Sequence, residues 1–238
     1  MPDRTSSARS AHAAPRALTL AVDVVLLTPR GNELAVLLVA TEGTRGARGR
    51  DRWSLPTDAP RGDESLDDTA ARVARDVVGA TPSLLEQSAA VGGARRSNDG
   101  GPVATQVSVG YFGLVPDGGR PESTKEWVGL SELPTLSARH REEIDLAVSA
   151  MRARVDQQPI AFRLLPPSFT LSELQSVYEL LLGRRLHKAS FRRSLHASAL
   201  VEATDEWRSE GRGRPAQLFR YAPPRRKRAR RGIRFDLL

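Results

Sequence analysis

The chain of 238 residues contains no cysteine, which excludes disulfide frameworks, thiolate zinc sites and cysteine nucleophiles together. Aromatic residues are scarce, at 5%, so burial has to rest on aliphatic side chains. No segment approaches the roughly 20 consecutive apolar residues that span a bilayer. The opening stretch MPDRTSSARSAHAAPRA carries arginines but lacks the apolar core of a secretory signal. A cytoplasmic protein with no membrane insertion is the expectation. With 39% hydrophobic and 27% charged residues, the composition is that of a protein with a real core.

Acidic residues are what the last third lacks. Residues 160–238 hold 17 lysines and arginines against 7 acidic residues, a net +10, whereas residues 1–159 hold 19 against 21. A basic excess confined to one end points to a polyanionic partner there, because each cation that neutralises a phosphate releases a counterion. Double-stranded DNA is the expected partner.

Local patterns divide the chain. Residues 1–16 read as a disordered arm. LTLAVDVVLLT and ELAVLLVAT, separated by PRGN, read as a strand, a turn and a strand. After a Gly/Arg-rich loop and a short strand WSLP, the spacing of Leu66, Ala70, Val73 and Val77 predicts a helix over Ser65–Val78. Ser65 and Asp68 are placed as its capping box, and Gly79 as its stop. Three strands follow, in LLEQSAAVGG, VATQVSVGYFGLVP and KEWVGLSEL. A helix over 137–155 then buries Ile144, Ala147, Val148 and Met151.

DQQP reads as a linker to the basic third. There, Thr170 and Glu173 form a capping box for a helix ending at Gly183. A second helix over Lys188–Ser198 turns Phe191 and Leu195 inward and leaves Lys188, Ser190, Arg192 and Arg193 outside. Two helices joined by a short turn make a helix-turn-helix. ALVEAT and AQLFRY around DEWRSEGRGRP read as a two-stranded wing carrying Arg208, Arg212 and Arg214. Arg225–Arg231 lie in a basic tail suited to nonspecific phosphate contacts. His187 stands where a helix N-cap is expected and is a poor cap. His140, at a helix start, is unremarkable as a metal candidate, since a single histidine without carboxylate partners is weak evidence for a ligand.

The segment Asp58–Ala80, DAPRGDESLDDTAARVARDVVGA, resembles the Nudix box, G-x5-E-x7-R-E-U-x-E-E-x-G-U with U aliphatic. Glu64, Arg72 and Gly79 match it. Asp58 replaces the first glycine, Val73 the glutamate after the arginine, and Asp76 and Val77 stand at the paired glutamates. Nudix hydrolysis needs several carboxylates on one helix face to hold Mg²⁺ against a pyrophosphate. With two of them valine, the expectation is a domain that keeps the fold and loses the metal cage, so no catalytic residue is assigned. Glu64, Arg72, Asp76 and Gly79 remain as an effector pocket or residual box. A weak metal site from Asp63, Glu64, Asp67 and Asp76 is the alternative.

PIAFRLLPPSFTLSELQSVYELLLGRRLHKASFRRSL, the wing GRGRPAQLFRY and LSELPTLSARHREEI are similar to the Nudix-related transcriptional regulators (NrtR-like), over about Leu18–Tyr221. The resemblance implies an α+β architecture. A degenerate Nudix sensing domain would occupy 17–155 and a winged helix-turn-helix 156–223, with a basic tail at 224–238. It also implies a homodimeric repressor of NAD-metabolism genes, released from its operator by ADP-ribose or a related nucleotide effector and using no bound cofactor. Two other readings compete with it. One is a working Nudix hydrolase with a basic appendage, and the other is a general nucleic-acid binder that uses its arginine tail.

Overall fold

The computed structural model describes residues 18–41, 52–95, 104–116, 118, 121, 123–209 and 215–222. The expected arm, the tail, and Arg212 and Arg214 lie outside the described residues.

The first strand, β1 (Leu18–Arg30), explains why its sequence is apolar without alternation. Strands β2 (Glu33–Ala40), β3 (Trp53–Ser54), β4 (Thr57–Asp58), β5 (Leu84–Arg95), β6 (Ala104–Leu114) and β7 (Lys125–Gly129) join it in one mixed sheet. The order is β3-β2-β1-β6-β5, with β4 on β1 and β7 on β2, and β1 runs parallel to β6. Both faces are covered, as a central strand with two apolar faces requires. Val22, Val24 and Leu26 face helix α1 (Leu66–Val78), while Val25 and Leu27 face helix α2 (Ala138–Val155). The mixed sheet between helices is therefore present as expected.

The helix limits follow their caps. Ser65 Oγ accepts from Asp68 N at the start of α1, and Gly79 ends it at φ 71°, a left-handed conformation that favours glycine. Ser137 caps α2 in the same way. KEWVGLSEL is only partly strand. After Gly129 the chain turns, with Leu130 N bonded to Leu34 O and the Ser131 backbone and hydroxyl both held by Glu33.

Helices α3 (Leu171–Leu182) and α4 (Lys188–Ser198) form the predicted pair, and the full Thr170/Glu173 capping box is made. Strand β8 (Ser168–Phe169) pairs with β10 (Ala216–Tyr221), which pairs with β9 (Val201–Arg208). β8, and a 3-10 turn over Ile160–Leu164, were not legible as elements. The wing strand β9 also runs further than ALVEAT, taking in Asp205–Arg208.

DQQP does not separate two cores. One cluster runs from Val25, Leu27 and Phe112 on the sheet, through Ile144, Ala147, Met151 and Val155 on α2. It continues through Ile160 and Leu164 to Tyr178, Leu181, Phe191 and Leu195. Tyr178 and Phe191 meet edge-on at 5.8 Å between ring centres. Met151 is fully buried where the two halves meet. Met151→Ala is expected to cost about 2–5 kcal/mol, the usual range for a buried large-to-small change. It should lower the unfolding temperature of both halves together in a calorimetric scan. Two transitions, of which only one moves, would contradict a shared core.

Candidate functional site

The loop leading into α1 is built around Arg72. Its guanidinium donates from Nε and Nη2 to the two oxygens of Glu64, both at 2.9 Å. It also donates from Nη1 to Asp58 Oδ2 at 2.7 Å and from Nη2 to the Ala59 carbonyl at 3.2 Å. Glu64 further accepts from Arg61 N and from the Thr69 hydroxyl. Bidentate, charge-assisted bonds of this kind fix geometry as well as charge. Bonding to Arg72 holds the Glu64 carboxyl down at about 2 and raises Arg72 above the usual guanidinium value. Asp58, at the box's glycine position, is likewise held low, chiefly by Arg72. Glu64 and Arg72 thus brace the loop against the helix.

The other two box residues lie elsewhere. Asp76 is exposed and Gly79 is the α1 C-cap. Both line a cavity of about 510 Å³ whose other walls include Val77, Val115, Trp127 and Lys125. The structure therefore divides the four expected residues between two places along α1.

The box metal implied by the Nudix resemblance does not fit these side chains. Val73 is 4% exposed and packs with Val22, Val24, Ala70 and Tyr111, and Val77 packs against the same cluster. Of the positions that would present carboxylates to a cation, 73 is a buried core valine and 77 a partly buried valine packed against that core, while Asp76 keeps an exposed carboxylate. Asp67 accepts from the Tyr111 hydroxyl at 2.5 Å. Among the described residues, the single group of three potential metal ligands does not include Asp63, Glu64, Asp67 or Asp76.

At the other end of the molecule, α4 buries Phe191 and Leu195 and exposes Lys188, Arg192 and Arg193. Among the described residues these three cations have no acidic partner, so their charge faces outward. Ser190 is half-buried and lies 3.5 Å from His187 Nδ1. His187 makes no side-chain cap, as expected. His196, one turn beyond Arg192 and exposed, joins the same face and had been passed over in the sequence. Trp207, 57% exposed beside the wing tip, was also missed. An exposed tryptophan on a basic wing was the available signal.

Arg208 has a different surrounding from the one its wing position suggested. Its Nη1 pairs with Glu173 at 2.7 Å, tying β9 to the N-terminal turn of α3. Glu173 simultaneously completes the Thr170 capping box.

The Glu64–Arg72 bridge carries a pH signature. Glu64 has its ordinary value near 4.5 when unfolded and about 2 when folded. Its contribution to stability is complete above about pH 4.5 and disappears as pH falls towards 2. Glu64→Gln should therefore destabilise the chain at neutral pH, with the gap to wild type closing across that window. Urea unfolding at several pH values measures this, and a constant gap at every pH would refute it.

Comparison with known proteins agrees with this arrangement. The family model for the NUDIX domain matches residues 17–147, and that for the NrtR DNA-binding winged helix domain matches residues 161–221. The chain is 30% identical over 213 residues to the ADPR responsive transcriptional repressor NtrR of Acinetobacter baylyi, covering 85% of this chain and 82% of that protein. It resembles the crystal structure of Shewanella oneidensis NrtR complexed with a 27mer DNA, with TM-score 0.69 and 30% identity, over 86% of this chain and 94% of that one. Against the structure of Shewanella oneidensis NrtR alone the TM-score is 0.66 at 28% identity, with the same coverage. With α1 braced by Arg72, a valine-filled box and a basic helix-turn-helix on a shared core, the chain belongs to the NrtR family, a Nudix domain joined to a winged-helix DNA-binding domain.

Proposed function

We propose that this protein is a transcriptional repressor that binds operator DNA as a homodimer and is released by a nucleotide effector sensed in its Nudix domain. The observation that carries the reading is the pairing of an outward basic face on α4 with a Nudix helix in which valines packed on the core, Val73 and Val77, stand at two of the metal positions. Lys188, Arg192 and Arg193 sit on the helix that, in winged domains, enters the major groove, where arginine reads guanine edges or holds phosphates. The relatives named as an ADPR-responsive repressor and as a protein bound to a 27mer DNA support the same assignment.

ADP-ribose or a related nucleotide is the effector in this reading, and genes of NAD metabolism are the targets. The cavity beside Gly79 offers an aromatic and aliphatic floor from Trp127, Leu37 and Val115, with Lys125 at its edge. That combination suits a base and a phosphate in one ligand. Such binding needs no hydrolysis, and the packing of Val73 and Val77 supports a domain that holds its nucleotide without cleaving it. It works in the cytoplasm, where its operator lies.

The reading is tested with genomic fragments recovered on the purified full chain. A palindromic operator should emerge, bound in preference to bulk DNA at physiological salt and released by ADP-ribose. Arg192→Ala and Arg193→Ala should each weaken operator binding by about 1–3 kcal/mol, roughly 5- to 150-fold. Equal retardation of every fragment would overturn the repressor. Mg²⁺-dependent release of AMP from ADP-ribose above a buffer blank would overturn the non-hydrolytic sensor in favour of a working hydrolase.

A further inference from the structure

Asp23, in the middle of the apolar strand β1, is fully buried on the face that α2 covers. Opposite it lie His140 and Glu143, three residues apart on α2 and 8% and 2% exposed. One ligand atom from each of the three lies within 4.8 Å of the others. The Ser108 hydroxyl from β6 donates to Asp23 Oδ2, as does Arg139 Nη1. Arg139 also lies 3.6 Å from Glu143 Oε1 and 2.8 Å from His140 Nε2. No hydrogen-bond donor reaches Asp23 Oδ1 or either oxygen of Glu143.

Burying carboxyl oxygens without donors is costly, and natural proteins avoid it unless a cation or proton faces them. Here two carboxyl groups face one guanidinium, so the second carboxyl has to be met by a proton or by a bound cation.

We propose that Asp23, His140 and Glu143 are the protein ligands of a divalent transition-metal site between β1 and α2, separate from the Nudix box. Two carboxylate oxygens and one imidazole nitrogen suit zinc, manganese, iron(II) or cobalt(II), with a fourth position left for water or Ser108. Ligand atoms about 2 Å from a zinc ion stand roughly 3.3 Å apart. Arg139, 28% exposed, would have to turn out to solvent as the ion enters. With the guanidinium outside, a dication balances the two carboxylates. The ion would pin the first turn of α2, the helix that carries the shared core, to the central strand.

The full chain, stripped with a chelator and titrated with Co²⁺, should take up one equivalent with a visible d–d absorption band. Zn²⁺ should displace it and raise the unfolding temperature. His140→Gln and Glu143→Gln should each weaken binding by more than about tenfold, and Asp76→Asn on α1 should leave it unchanged. Uptake of no equivalent, binding indifferent to both α2 variants, or loss in Asp76→Asn would overturn the site. Should the α2 variants fold poorly, ring-nitrogen NMR of the wild type decides. Of His12, His140, His187 and His196, only His140 should shift with Zn²⁺, and a shift at His187 or His196 instead would refute the proposal.

Discussion

Everything in this molecule depends on α2 being buried by two partners at once. Ile144, Ala147, Met151 and Val155 pack with the sheet residues Leu27 and Phe112 and also with Leu181 and Tyr178 of the DNA-binding half. Arg154 adds a 2.7 Å ion pair to Glu86 on β5. Packed interiors are dense and resist continuous deformation, so a rearrangement on one side of such a helix cannot be absorbed locally. The two functions are joined by a shared core rather than by a flexible tether. This gives the Nudix fold a mechanical role even without chemistry.

That division of roles is written in α1. The residues that hold the loop to the helix, Glu64, Arg72 and the Gly79 cap, are kept, and even Asp58 at a glycine position contributes a carboxylate to the brace. At two of the positions that would hold a cation, valines pack against the hydrophobic cluster, and Asp76 stands exposed at a third. A parallel compromise marks α4, which has no side-chain N-cap at His187 and ends on Ala199 in a left-handed conformation at φ 50°.

Much of this was legible in the sequence because caps and apolar spacing are local signals. The limits of α3 and α4 follow from Thr170, Glu173, Gly183 and the Phe191/Leu195 pair, and the departures from the box at 73 and 77 are read directly off the chain. What was not legible depends on distant contacts. Asp23 carried no sequence signal, and His140 looked unremarkable as a metal candidate, because their meeting needs the packing of α2 on β1. Glu143, three residues from His140 on one helix face, was the local clue. Arg208 read as a free wing cation because its partner, Glu173, stands 35 residues earlier. DQQP read as a linker because polarity marks a turn, not the end of a core.

The central claim is that a ligand held by the Nudix half is felt by the recognition helix through α2. Amide hydrogen exchange on the full chain, with and without saturating ADP-ribose, tests it most directly. The account predicts changed protection in α2 that continues into α3 and α4. Changes confined to residues before Ala138, or no change anywhere, would contradict it.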